Sequence, residues 1–179
     1  MLFDLKTELE SILGERINGQ ILLGSSIYSQ KIHTESGRYC FLKSSNISSR
    51  AFICEANGLL EIKKSGAVIT PEIIGAGSSF LLTEYIESGK PSAFFYEYLG
   101  ESLSLMHRYQ ADSFGFYEDN YIGANPQLNI PENNEKEDWP NFYFNKRLLF
   151  QFRLAEKNGY VTEQFSKNFS RLENKIPII

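Results

Sequence analysis

Residues 39–66, YCFLKSSNISSRAFICEANGLLEIKKSG, decide how the rest of the chain is read. From Arg38 to Lys43 the pattern alternates around Tyr39, Phe41 and Lys43, as a half-buried strand does. A polar break follows, and Ser48 or Ser49 offers a helix N-cap. Phe52, Ala56, Leu59, Leu60 and Lys63 then share one helical stripe that stops at Gly66. The segment therefore predicts a strand ending in a lysine, followed by a helix that can pack on the sheet.

Working outward, Leu5, Leu9, Ile12 and Leu13 predict a helix over 3–15, punctuated by Gly14 and Gly19. Gln20–Leu23 and Ser25–Lys31 read as strands, and Thr34-Glu35-Ser36-Gly37 as the hairpin turn before residues 38–43. Downstream, Pro71 opens a short strand to Ile74, and Ser79–Ile86 makes another, with Gly75 and Gly77 between them. The first 86 residues thus read helix, three strands, helix, two strands. Ser88-Gly89-Lys90-Pro91 is a linker, and a helix is expected from Ser92 to about Tyr109 on Phe95, Leu99, Leu103 and Met106. Residues 110–138 sustain no period and end in the acidic run Glu135-Lys136-Glu137-Asp138, read as a solvated loop leading into a helix N-terminus. One long helix from Trp139 or Pro140 to Asn158 and a last helix over Val161–Asn174 complete the chain.

Composition narrows the partners. The 179 residues carry 18 Lys plus Arg against 22 Asp plus Glu, a net charge of −4. That balance gives no electrostatic reason to expect nucleic acid, whose phosphates need a basic face. No apolar run approaches the length that crosses a membrane. The start, MLFDLKTELE, has acids where a signal peptide needs a basic and then apolar stretch. Cys40 and Cys54 form neither a disulfide framework nor a metal site, so two reduced thiols and a cytoplasmic location are expected.

The chemistry-bearing residues are few. Lys43 ends an apolar strand, and Glu55 lies twelve residues on, beside the helical stripe. By spacing alone, two solvated charges are the plainer reading. The alternative is a strand lysine that reaches nucleotide phosphates, steadied by a helix carboxylate. A flexible phosphate loop should then precede the lysine by one hairpin, and Gly24-Ser25-Ser26-Ile27-Tyr28-Ser29 stands there with a single glycine. The strand Phe80–Ile86 could offer a backbone donor and acceptor to an adenine around Glu84, Tyr85 and Ile86, or be simply a core strand. His33 has no metal-ligand partners nearby in sequence and reads as surface or turn. His107-Arg108-Tyr109 ends a helix and lacks the acid of an H-R-D motif.

Taken in order, these elements resemble the fructosamine (ketosamine) kinase family. The resemblance rests on Phe41-Leu42-Lys43, Phe52–Leu59, Pro71–Ile74, Leu82–Ile86 and Leu105–Arg108. More distinctive are Phe114-Gly115-Phe116, Asp119-Asn120-Tyr121-Ile122-Gly123 and Pro126-Gln127-Leu128-Asn129. Asp138-Trp139, Phe142, Arg147-Leu148 and Gln151 follow. The resemblance runs from the first helix to about Ile176. It implies an α+β, protein-kinase-like fold: an antiparallel five-stranded small lobe (1–86) with one packed helix, a hinge at 87–91, and the first helices of an incomplete α-helical large lobe (92–179). It also implies ATP-dependent phosphorylation of a sugar hydroxyl on fructosamines, small or protein-bound, with ATP and Mg²⁺ as cofactors. By position, Lys43 would contact the phosphates and Glu55 would pair with it. Ser25 and Ser26 would lie in the phosphate-covering loop, and Glu84, Tyr85 and Ile86 would form the adenine hinge. Asn120 and Gln127 would lie on the sugar side.

The departures matter as much. The family's catalytic loop, His-Gly-Asp-Leu-Trp-x-Gly-Asn, and the metal-binding Asp after it do not occur; the Asp residues are Asp4, Asp112, Asp119 and Asp138. The resemblance therefore places the catalytic Asp beyond Ile179, names no catalytic residue or metal ligand within the chain, and leads us to expect that these 179 residues alone transfer no phosphate. The competing reading is a catalytically inactive kinase-like module that binds a nucleotide or a partner. Apolar faces left uncovered on helix 139–158 and on the Ile176–Ile179 tail predict self-association.

Overall fold

The computed structural model describes residues 2–176. In chain order the elements are α1 (Leu2–Leu13), β1 (Ile17–Asn18), β2 (Tyr28–Thr34), β3 (Tyr39–Ser44), α2 (Ala51–Lys64), β4 (Ile73–Ala76), β5 (Phe80–Glu84) and α3 (Phe95–His107). They are followed by β6 (Asn120–Ile122), β7 (Asn125–Gln127), α4 (Trp139–Tyr143), a π-helical segment (Phe144–Leu149), α5 (Phe150–Lys157) and α6 (Glu163–Glu173). The chain divides into two compact units, residues 1–110 and 111–179. Residues 85–92 carry neither helix nor strand, and α3 groups with the first unit.

The first unit is a five-stranded antiparallel sheet in the order β1-β2-β3-β5-β4. Its hairpin between β2 and β3 turns at Gly37, whose φ of +89° an L side chain rarely adopts. Strand alternation splits the residues of β3 between two faces. Cys40 and Leu42 join Leu5 and Leu9 of α1, Ile17, Ile21, Ile32, Phe80 and Leu82 in the main core. Each fully buried leucine there contributes about 1.5–3 kcal/mol. On the opposite face Phe52 and Ala56 of α2 close over Leu81, with Ile73 at the margin. So a second helix, α1, packs on the sheet besides α2, and the two helices take opposite faces.

The expected strand at Gln20–Leu23 does not form; β1 lies earlier, at Ile17–Asn18. The Gln30 carboxamide takes the place of a partner strand. Its Nε2 donates to the Leu22 carbonyl at 2.9 Å and its Oε1 accepts from the Leu22 N–H at 3.3 Å. The Ser44 hydroxyl adds a bond to the same carbonyl at 3.1 Å. Neither expected cap, Ser48 or Ser49, takes the N-cap position of α2. Arg50 holds it without a side-chain bond, and Ser49 just before it accepts from the Ala51 N–H at 3.1 Å. The expected stripe of α3 is present, yet none of its residues is fully buried, and Phe95, Leu99 and Leu103 are about two-fifths exposed.

The second unit holds the β6–β7 hairpin inside the stretch read as periodless, and the helices after it. The single long helix expected over 139–158 is instead α4, the π segment and α5 in direct succession. The wider π turn brings successive side chains closer in direction, and three consecutive residues, Asn145, Lys146 and Arg147, all bond to the 128–135 loop. Phe152 stacks on Phe169 of α6 at 4.1 Å between ring centroids, and Phe142 is buried beside Trp139.

Candidate functional site

Lys43 and Glu55 meet. Because Leu42 faces the α1 core, Lys43 projects to the face that carries α2. There its Nζ donates to Glu55 Oε1 from the second turn of that helix. Both side chains keep about a third of their surface exposed. Screening at that exposure limits such a pair to about 1 kcal/mol or less, so it positions the lysine more than it stabilises the fold.

Two residues back along β3, about 7 Å at strand rise, Phe41 lines a cleft of about 350 Å³ on the same face. Pro71, Thr83, Glu84, Tyr85, Ile86 and Ser88 complete its walls. Phe41 and Thr83 are register partners, which sets the cleft against the sheet. At its rim the Glu84 N–H still donates to Glu72 at 3.0 Å. Past Glu84 the chain leaves the ladder. The three residues expected at an adenine hinge thus line one concave surface.

Ser25 and Ser26 are exposed in the loop between Gly24 and β2. The loop is tied at its base by the Asn46 N–H, which donates to the Gly24 carbonyl at 3.2 Å. It runs into β2, where Ser29 is the register partner of Lys43. The loop, the Lys43–Glu55 pair and the cleft all belong to the first unit.

Asn120 and Gln127 belong to the second unit and face each other across β6–β7. The Gln127 Nε2 donates to Asn120 Oδ1 and to Asn129 Oδ1, each at 3.2 Å. Their polar atoms serve a network centred on buried Asn129. That residue also bonds Asp119 through its N–H at 2.6 Å, the Glu118 carbonyl through Nδ2 at 3.1 Å and Arg147 through Oδ1 at 2.8 Å. Arg147 donates to the Leu128 carbonyl as well.

The acidic run is not wholly solvated. Asp138 caps α4 by accepting from the Asn141 N–H at 3.1 Å, but Glu135 is 2 % exposed and lies 3.3 Å from Lys146. Burial pushes the Glu135 carboxyl up, and bonds from the Glu132 N–H, Asn145 and Lys146 outweigh it, leaving it below its ordinary value. His107 ends α3, as expected of a helix-end histidine. Among the described residues no three His, Cys, Asp or Glu side chains gather as a metal site would. Among the described residues, no helix is long and apolar enough to cross a membrane.

A fructosamine kinase family profile matches residues 5–177. The chain belongs to the fructosamine kinase family. A relative from Enterococcus faecium named as a ketoamine kinase is 29 % identical over 94 % of this chain and 61 % of its own length. The chloroplastic protein-ribulosamine 3-kinase of Arabidopsis thaliana is 29 % identical over 81 % of this chain and 45 % of its own. A solved structure from Thermobifida fusca, described as a fructosamine-3-kinase, superposes with a TM-score of 0.83 at 23 % identity. It matches over 97 % of this chain and 61 % of that one. The protein-kinase-like fold of this chain is thereby shown. It spans about half to three-fifths of the length of these curated relatives.

Two features escaped the sequence reading. One is the Asn129–Arg147–Asp119 network, whose members are up to 28 positions apart. The other is a contact of Lys31 with Tyr39 and Tyr85, visible only once the strand register is known.

Proposed function

We propose that this chain supplies the nucleotide-binding part of an ATP-dependent ketosamine kinase, which phosphorylates a sugar hydroxyl on a glycated amine. The observation that carries the reading is the Lys43–Glu55 pair on the same sheet face as the Phe41–Ile86 cleft. Adenine would enter the cleft and take its donor and acceptor from the backbone of 84–86. The phosphates would extend along β3 to the Lys43 ammonium beneath the Ser25-Ser26 loop. Bound ATP would supply the transferable phosphoryl group. Lys43 would orient it electrostatically, and Glu55 would hold Lys43 in that pose. Asn120 and Gln127 would support the sugar side through the hairpin. Magnesium is implied by the family, and no residue of this chain is assigned to it. The hinge at 87–91, between lobes 1–86 and 92–179, belongs to the same proposal. Two buried cysteines, Cys40 and Cys54, support a reducing, cytoplasmic setting.

Without an Asp in a His-Gly-Asp setting, these 179 residues bind ATP and transfer no phosphate. Calorimetric titration of the chain with ATP, paired with a phosphotransfer assay on a fructosamine, tests both statements. Lys43→Ala should weaken ATP binding by about tenfold, the loss of one charge-assisted contact. An unchanged titration removes Lys43 from the site. Turnover at a normal kinase rate would refute the inactivity of the chain, and ATP binding without turnover is the expected outcome.

A further inference from the structure

Lys31 is the fourth residue of β2. Its neighbour Ile32 points into the α1 core, so Lys31 stands on the other face, as the register partner of Phe41. Its ammonium lies 4.1 Å from the centroid of the Tyr39 ring and 3.9 Å from that of Tyr85. It also donates to Glu87 Oε2 at 3.3 Å. Three partners from β3 and from the segment after β5 therefore converge on one cation.

Tyr85 and Glu87 flank Ile86 in the segment that has just left the sheet. The peptide groups between them are held through side chains that both reach back to β2. We propose that Lys31 is a positioning residue for the nucleobase. It fixes the direction of the Tyr85–Glu87 backbone against the cleft, so that the donor and acceptor there are preorganised before ligand arrives. Each contact is weak at this exposure, but all three restrain the same short segment. The sequence carries no sign of this, since a lysine in mid-strand reads as a solvated charge. The inference rests on the nucleotide reading of the cleft given above.

Lys31→Met keeps the aliphatic stem and removes the cation; Lys31→Arg keeps a cation over the rings. Backbone ¹⁵N order parameters of Tyr85, Ile86 and Glu87 in the free 179-residue chain measure the restraint directly. They should fall in Lys31→Met from about 0.85 toward 0.6 and recover in Lys31→Arg. Adenosine and ATP titrations should weaken by one common factor, about fivefold, in Lys31→Met, with Lys31→Arg near the parent. Glu87→Gln, at an exposed position, should shift both readouts in the same direction by less. Unchanged order parameters would overturn the proposal, as would looser backbone with unaltered adenosine affinity. A loss confined to ATP would make Lys31 a phosphate-steering charge and overturn it equally. If the parent chain binds neither adenosine nor ATP while Lys31→Met still loosens 85–87, the nucleotide reading fails and the restraint stands.

Discussion

At the scale of single residues, two lysine–glutamate pairs do opposite work. Lys43–Glu55 is open enough to water that its strength is small and its geometry is what counts. Glu135, by contrast, is closed off and held by Lys146, Asn145 and the Glu132 N–H. Its carboxyl sits below its ordinary 4.5 in the folded chain. The folded state therefore binds fewer protons than the unfolded one between those two values, and stability rises with pH there. The contribution is complete above the unfolded value and is lost as pH falls through the folded one. Glu135→Gln should accordingly melt below the parent at pH 7, with the gap closing as melting curves are taken down from pH 5 to pH 3. A constant gap would mean that the charge is immaterial. This residue was illegible in the sequence because a run of Glu, Lys, Glu and Asp looks the same whether one member is buried or none. Lys43 and Glu55 were legible only through the family pattern, since twelve-residue spacing names no chemistry by itself.

Among elements, the clearest mechanical demand falls on Gly115, in the Phe114-Gly115-Phe116 triplet. Its φ is +96°, and a Cβ built there would stand 2.4 Å from the Asn129 carbonyl oxygen and 3.0 Å from the Phe142 ring. The Phe116 N–H bonds that same carbonyl at 2.9 Å. Backbone cannot yield as a flexible side-chain tip can. Gly115→Ala should cost about 3 kcal/mol or more, read as a lower urea midpoint, and a midpoint within error of the parent would show that the 114–116 turn relaxes freely. Helices and strands with a regular apolar period were readable in advance: α1, α2, β3, β5 and α6 fall where the pattern puts them, within a few residues. The irregular pieces were not. The π segment differs from an α-helix in its i→i+5 backbone bonding, which leaves no mark on the apolar spacing of the sequence. Gln30 standing in for a strand is likewise invisible, because its side chain does work that sequence patterns assign to a backbone.

For the molecule as a whole, the apolar surface of α3 has the largest consequence. Tyr96 is 77 % exposed, and Phe94, Phe95, Leu99, Leu103 and Leu105 join it in facing water. Of the tail expected to be uncovered, Ile176 is buried, and residues 177–179 lie outside the described residues. We expect the 179-residue chain to self-associate at micromolar concentration through its helices. Multi-angle light scattering checks this, and a single monomeric mass across that range would count against it. Most of the sheet and the helix α2 packed on it followed from local patterns, because their contacts recur every second or fourth residue; the packing of α1 on the opposite face did not. The partition into units at 110 and 111 did not, since it depends on distant packing. The route such association can take is narrowed by the rim of the sheet. On one side β1 is two residues long, and both backbone groups of Leu22 further along the chain are taken by Gln30. On the other, β4 shifts register between Ile73 and Gly75. Among the described residues, neither margin of the five-stranded sheet is a long straight strand, which disfavours edge-to-edge pairing of copies along that sheet.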